Sequence, residues 1–168
     1  MAQRKLRFAL FGNVYQAKKS VSIQKILSFL SEHKAEIYIE KEFFEFLTQG
    51  QHYEVVATRI FEGRDFDADF VISMGGDGTF LKAAHYVGNK QIPIMGVNMG
   101  RLGFLADVGP SDIESSLKAL YAGEFKLEDH AVIQVEADGK TFETCPCALN
   151  DIAVLKRDNA SMISIRRT

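Results

Sequence analysis

One carboxylate set among glycines is the feature of this sequence most suited to chemistry. Gly75-Gly76-Asp77-Gly78-Thr79 stands between an apolar run, 70–73, and an amphipathic run, 79–87. Glycines admit backbone angles closed to other residues and let the main chain approach a ligand. A helix beginning there presents free N–H groups and the positive end of its dipole. Together these make an anion cradle, and phosphate is the usual guest. A carboxylate repels phosphate, so Asp77 needs a separate task. It could take the proton of an attacking hydroxyl, or hold a divalent metal on the phosphates. Both tasks belong to phosphoryl transfer. A plain β–α turn with Asp77 as a helix N-cap is the competing explanation, better suited to a generic two-glycine turn than to this string. The pattern is neither G-x-G-x-x-G nor a P-loop.

The elements that must position this turn alternate. A strand is expected over 5–11, ended by Gly12-Asn13, and Ile23, Ile26, Leu27 and Leu30 repeat on one helix face. A short β-like run at 36–39 precedes a short helix over 42–47. A buried strand at 70–73 leads into the glycine turn, then a helix over 79–87 capped by Gly88. Another strand follows at 92–97. Ser111-x-x-Glu114 has the form of a capping box opening a helix closed by Gly123. Strand–helix alternation implies a parallel sheet with right-handed crossovers. Beyond His130 the helical period disappears, and Asp138-Gly139 signals a hairpin. Further strands are expected over 149–155 and 161–165. The fold class is therefore α/β: an open parallel-sheet, Rossmann-like domain over residues 1–125, then the start of an all-β domain over 126–168. The chain stops directly after an expected strand, which reads as a fragment with an incomplete second domain.

Composition narrows the partners. The 168 residues carry a net charge of −2, so no basic excess calls for nucleic acid or an anionic membrane surface. No apolar stretch approaches the roughly 20 residues that span a bilayer. The N-terminus is basic and then apolar, but Arg7 interrupts it and no cleavage pattern follows. Cys145 and Cys147 read as free thiols of a cytoplasmic protein, since C-x-C on a strand is poor disulfide geometry.

Three stretches in order, "GGDGT", "IPIMGVNMGRLGFLADV" (92–108) and "ALNDIAVL" (148–155), resemble the NAD kinase family. GGDGT alone is shared with lipid kinases of the diacylglycerol and sphingosine type and with phosphofructokinases; the lipid-kinase P-x-G-T-x-N-D loop is absent. The resemblance implies transfer of a phosphoryl group from ATP, or in some members polyphosphate, to the 2′-hydroxyl of the adenosine ribose of NAD, giving NADP. It implies Mg²⁺, and a homodimer or homotetramer for the whole protein. By the same resemblance Asp77 is the proton acceptor, and Gly76, Gly78 and Thr79 lie against nucleotide phosphates. Leu81 shapes the NAD pocket, Phe104 packs on the adenine with Leu102 beside it, Asn150 hydrogen-bonds the adenine or its ribose, and Asp151 contacts the dinucleotide's sugar hydroxyls. The family continues well beyond the Asn-Asp pair with a Gly-Ser/Thr-Ala-Tyr-type motif. This chain alone is therefore expected to be inactive or nearly so. The alternatives are a lipid kinase of the same superfamily and a nucleotide-binding module without chemistry.

Other residues read less sharply. Lys82, one turn into the glycine-loop helix, is a candidate ligand contact, as are Arg101 and Asn13. The four histidines show no metal-site spacing, and His85 is read as structural. Phe43, Phe44 and Phe46 read as packing. Asp65, Asp67 and Asp69 read as a solvated turn.

Overall fold

In a computed structural model of the chain, residues 5–13, 21–50, 55–100, 103–135 and 147–151 are described. Alternation decides the core. In β1 (Arg7–Gly12), Phe8 and Leu10 point to one face of the sheet, Ala9 and Phe11 to the other. In β4 (Phe70–Gly75), Ile72 and Met74 join the first face and Val71 the second. Both faces are covered, as a parallel sheet requires. The first is packed by α1 (Val21–Glu32) and α4 (Ile113–Ala122), through Ile23, Ile26, Leu30, Ile113 and Leu117. The second is packed by α3 (Asp77–Val87), through Ala83 and Val87, with an aromatic group of Phe11, Phe61 and Phe66.

The sheet has five parallel strands in the order β3-β2-β1-β4-β5. Here β2 is Glu36–Glu40, β3 is Arg59–Phe61 and β5 is Ile94–Asn98. The chain builds outward from β1 in one direction, through β2 and β3. It then returns to the other side of β1 with β4 and continues to β5. The reversal leaves a crevice between the carboxyl ends of β1 and β4, where ligands of open α/β sheets bind. Gly75, the last residue of β4, opens into that crevice, and the N–H of Asn13 donates to the carbonyl of Met74 at 3.0 Å across it. A second, antiparallel pairing joins β6 (Ile133–Gln134) to β7 (Cys147–Ala148).

Several expectations are corrected in detail. β3 has no counterpart in the sequence reading; with three residues, two of them exposed, it has almost no pattern to read. The helix after β2, α2 (Lys41–Glu45), passes into a wider π-type turn over Phe46–Gly50. The capping box at Ser111 does not form: Asp112 precedes α4, and the Ser111 hydroxyl bonds the Asp112 carboxylate instead. Of the aspartates before β4, Asp65 and Asp67 are exposed as expected of a solvated turn, while Asp69 is half-buried; Arg7 pairs with Asp67 and Asp69, and Arg59 with Asp65. Gly88 and Gly123 close their helices as expected, both at positive φ. The Asp138-Gly139 turn, Cys145 and the strand at 161–165 lie outside the described residues, as does 152–155 of the strand expected over 149–155.

The alternation sets a stability test. Ile72 is fully buried in the central strand, whereas Ile60 on edge strand β3 is 45% exposed. Ile72→Ala is expected to cost about 2–5 kcal/mol in urea unfolding, and Ile60→Ala under about 1 kcal/mol. Equal losses would contradict this core.

Candidate functional site

Asp77 is the first residue of α3, and Gly76 before it is extended (φ −116°, ψ −164°). The Gly76 carbonyl accepts the N–H of Thr79 and of Phe80, which starts the helix. Gly75 must lack a side chain, since a Cβ there would sit 2.2 Å from the Thr79 hydroxyl oxygen. Thr79 is buried and packs back over the end of β4, while Gly78 faces open space. With Gly76 as the N-cap, Asp77 is not one, and its side chain turns toward the loop that follows β5 instead.

There the carboxylate meets residues 103–106. Oδ2 accepts the backbone N–H of Phe104 at 2.9 Å; Oδ1 accepts those of Leu105 at 2.9 Å and Ala106 at 3.1 Å. Three successive N–H groups converging on one anion form a nest. The bonds from Phe104, then Leu105 and Ala106, hold the Asp77 pKa below the usual carboxylate range, against a smaller opposing effect of desolvation. Residue 106 is held from behind as well. A Cβ on Gly96 would meet the Ala106 Cα at 2.7 Å, and Asn98 donates its side-chain amide to the Ala106 carbonyl at 3.4 Å. The Asn98 Oδ1 accepts from the Gly100 N–H, and Val108 pairs with Val97 on the free edge of β5. This scaffolding leaves the Phe104 side chain 99% exposed at the rim. An aromatic residue fixed at its backbone and almost fully exposed is an apolar surface without a packing partner among the described residues.

The other expected residues divide. Leu81, Asn150 and Asp151 line one cleft of about 1260 Å³ between α3, β5 and residues 125–134 and 147–151. Asn150 and Asp151 are exposed there. His85 is exposed and lines the same cleft. Asp77 and Phe104 are not among the residues lining it. Lys82 donates to Glu42 at 2.7 Å and to Glu40 at 3.3 Å. Burial alone would lower the Lys82 pKa, but the two carboxylates outweigh it and raise it. Glu40 is itself buried and accepts the N–H of Phe43, so Lys82 and Glu40 join α3 to the end of β2. Leu102 and Arg101 lie outside the described residues. Among the described residues no group of three His, Cys, Asp or Glu is placed to hold a metal.

Sequence reasoning missed Gly96, Asn98 and Gly103. All three fall within the stretch "GVNMGRLGF", but their roles depend on which atoms the fold brings near them.

An open parallel α/β domain with a glycine-rich turn at its topological switch point defines a nucleotide-binding class. Comparison with known proteins narrows it. The family described as "ATP-NAD kinase N-terminal domain" matches residues 8–125, and the chain belongs to it. It is 51% identical to an NAD kinase of Bacteroides fragilis over 161 residues, spanning 96% of the chain and 56% of that protein. It is 36% identical to an NAD kinase of Porphyromonas gingivalis, covering 95% of the chain and 54% of that relative. The chain thus spans a little over half the length of these relatives. A crystal structure of yeast NADH kinase complexed with NADH shares the fold: TM-score 0.66 at 14% identity, over 88% of this chain and 47% of that one. No helix among the described residues is long and apolar enough to cross a membrane.

The depressed pKa fixes a pH dependence. A carboxyl whose folded pKa lies below its unfolded one stabilises the fold above the unfolded value and loses this as pH falls through the folded pKa. The melting-temperature gap between the unmodified chain and Asp77→Asn is therefore expected to be widest near neutrality and to close in acid, below the ordinary aspartate range. A gap independent of pH would contradict the three-bond seat.

Proposed function

We propose that this chain carries the glycine-loop half of an NAD kinase, which transfers the γ-phosphoryl group of ATP, or of polyphosphate, to the 2′-hydroxyl of the adenosine ribose of NAD. The observation that carries the reading is Asp77 at the switch-point crevice, bonded to the backbone that presents a bare Phe104. Phe104 offers its ring to the adenine, with Leu102 beside it; Asn150, Asp151 and Leu81 line a cleft suited to the rest of the dinucleotide. The exposed Gly78 and the start of α3 offer backbone N–H groups to phosphates, with Gly76 and Thr79 shaping the turn and Lys82, held by Glu40 and Glu42, bracing the helix.

In the reaction the 2′-oxygen attacks the γ-phosphorus, the bond to the β–γ bridging oxygen breaks, and ADP leaves with that electron pair. The hydroxyl proton passes to Asp77. The transition state is loose, so the hydroxyl becomes strongly acidic only as its new bond forms, and an ionised carboxylate of modest basicity serves. Mg²⁺ in this reading travels on the phosphates of ATP, a mode that needs one or two carboxylates at most. In this reading residues 126–168 are the start of the NAD-binding β domain. A cytoplasmic homodimer or homotetramer completes the reading.

The test is NADP formation from NAD, ATP and Mg²⁺, by this chain and by the chain joined to the C-terminal part of the Bacteroides fragilis relative. The joined protein is expected to turn over and the chain alone to be nearly inactive. In the joined protein Asp77→Ala is expected to lower kcat about 10²–10⁴-fold. Phe104→Ala is expected to raise KM for NAD about tenfold, by loss of stacking. No NADP with either ATP or polyphosphate, from a folded joined protein, would overturn the reading in favour of a lipid kinase or a binding module.

A further inference from the structure

Gly103 lies directly under the Asp77 carboxylate. A Cβ built on it would stand 2.2 Å from Oδ1, 2.6 Å from Cγ and 2.7 Å from Oδ2. No atom outside that carboxyl group is among its three nearest neighbours. The backbone is no obstacle to a side chain, because Gly103 is not among the glycines at positive φ. The nearest obstacle is the carboxylate.

We infer that Gly103 is a positioning residue: its missing side chain lets the Asp77 carboxylate seat on the N–H groups of Phe104, Leu105 and Ala106, tying the first turn of α3 to the backbone that presents Phe104. A methyl group at 103 would displace the carboxylate by rotation about the Asp77 side chain. That rotation is sterically easy, so the loss is the three charge-assisted bonds. Residues 103–106 would keep Gly96, Asn98 and Val108 behind them but lose their tie to α3. The link of this seat to substrate rests on the NAD kinase reading; the seat itself does not.

The test is a double-mutant cycle on this chain without nucleotide, read by thermal unfolding. Gly103→Ala alone is expected to lower the melting temperature. In an Asp77→Ala background, where the obstructing atoms are gone, the same substitution is expected to leave it unchanged or raise it, since alanine restricts the unfolded chain. Gly103→Ala is also expected to move the Asp77 carboxyl titration, followed by carbon NMR, up toward the ordinary aspartate value. An equal loss of melting temperature in both backgrounds, or an unmoved titration, would overturn the inference. A readout without any variant covers the case in which one fails to fold. In the unmodified chain the amide protons of Phe104, Leu105 and Ala106 are expected to shift with pH together with that carboxyl carbon. Amides that ignore it would overturn the inference equally. A cycle that behaves as expected beside a joined protein that makes no NADP would leave the seat standing and remove the kinase.

Discussion

One ionised carboxylate on three backbone N–H groups is the constraint around which this site is arranged. The N–H groups of Phe104, Leu105 and Ala106 could be satisfied by water, but the Asp77 carboxylate fixes them to the start of a helix. Bonds from neutral donors to a charged acceptor are about twice as strong as neutral pairs. Their geometry requires the loop to lie tightly on the sheet edge. Gly96 permits that approach, Asn98 holds the Ala106 carbonyl, and Val108 runs parallel to Val97. The outcome is a hydrogen-bonded backbone carrying a side chain, Phe104, that is almost completely exposed.

The sheet order supplies the place for this arrangement. Because the chain reverses between β1 and β4, two helices that would otherwise obstruct the crevice lead away in opposite directions. α3 starts at one lip, and its position is fixed twice. Val87 and Ala83 pack on the sheet, and Lys82 reaches the Glu40 and Glu42 carboxylates beyond β2. Glu40 is buried, and a buried carboxylate without partners would be costly. Its bonds to the Phe43 N–H and to Lys82 make it a strut between the two halves of the sheet.

Much of this was legible in the sequence for a physical reason. The near-continuous apolar runs in 8–11 and 70–74, and the i, i+3, i+4, i+7 face of α1, are direct records of burial on both sheet faces and on one helix face. Gly88 and Gly123 were legible because a left-handed helix end leaves few residues to choose from. The glycines around Asp77 were legible as a close-approach turn. What was hidden depends on atoms distant in sequence. β3 is too short and exposed to carry a period. Ser111 and Glu114 match a capping box, but the Ser111 hydroxyl finds the adjacent Asp112 carboxylate first. Asp77 was read as a proton acceptor, a metal holder or an N-cap and not as a backbone anchor, because nothing in GGDGT announces that a loop 27 to 29 residues later supplies three donors to it. Gly103 was unreadable for the same reason: the atoms that exclude a side chain there belong to Asp77.

The central claim is that the Asp77–Phe104 unit is where the adenosine of NAD sits. It is tested most directly by nuclear Overhauser contacts between the adenine protons of NAD and the ring of Phe104, in the joined protein carrying labelled phenylalanine. Adenine H2 or H8 in contact with the Phe104 ring, accompanied by shifts of the 104–106 amides, is the result this structure predicts. Bound NAD with its adenine far from Phe104 and the 104–106 amides unmoved would contradict it.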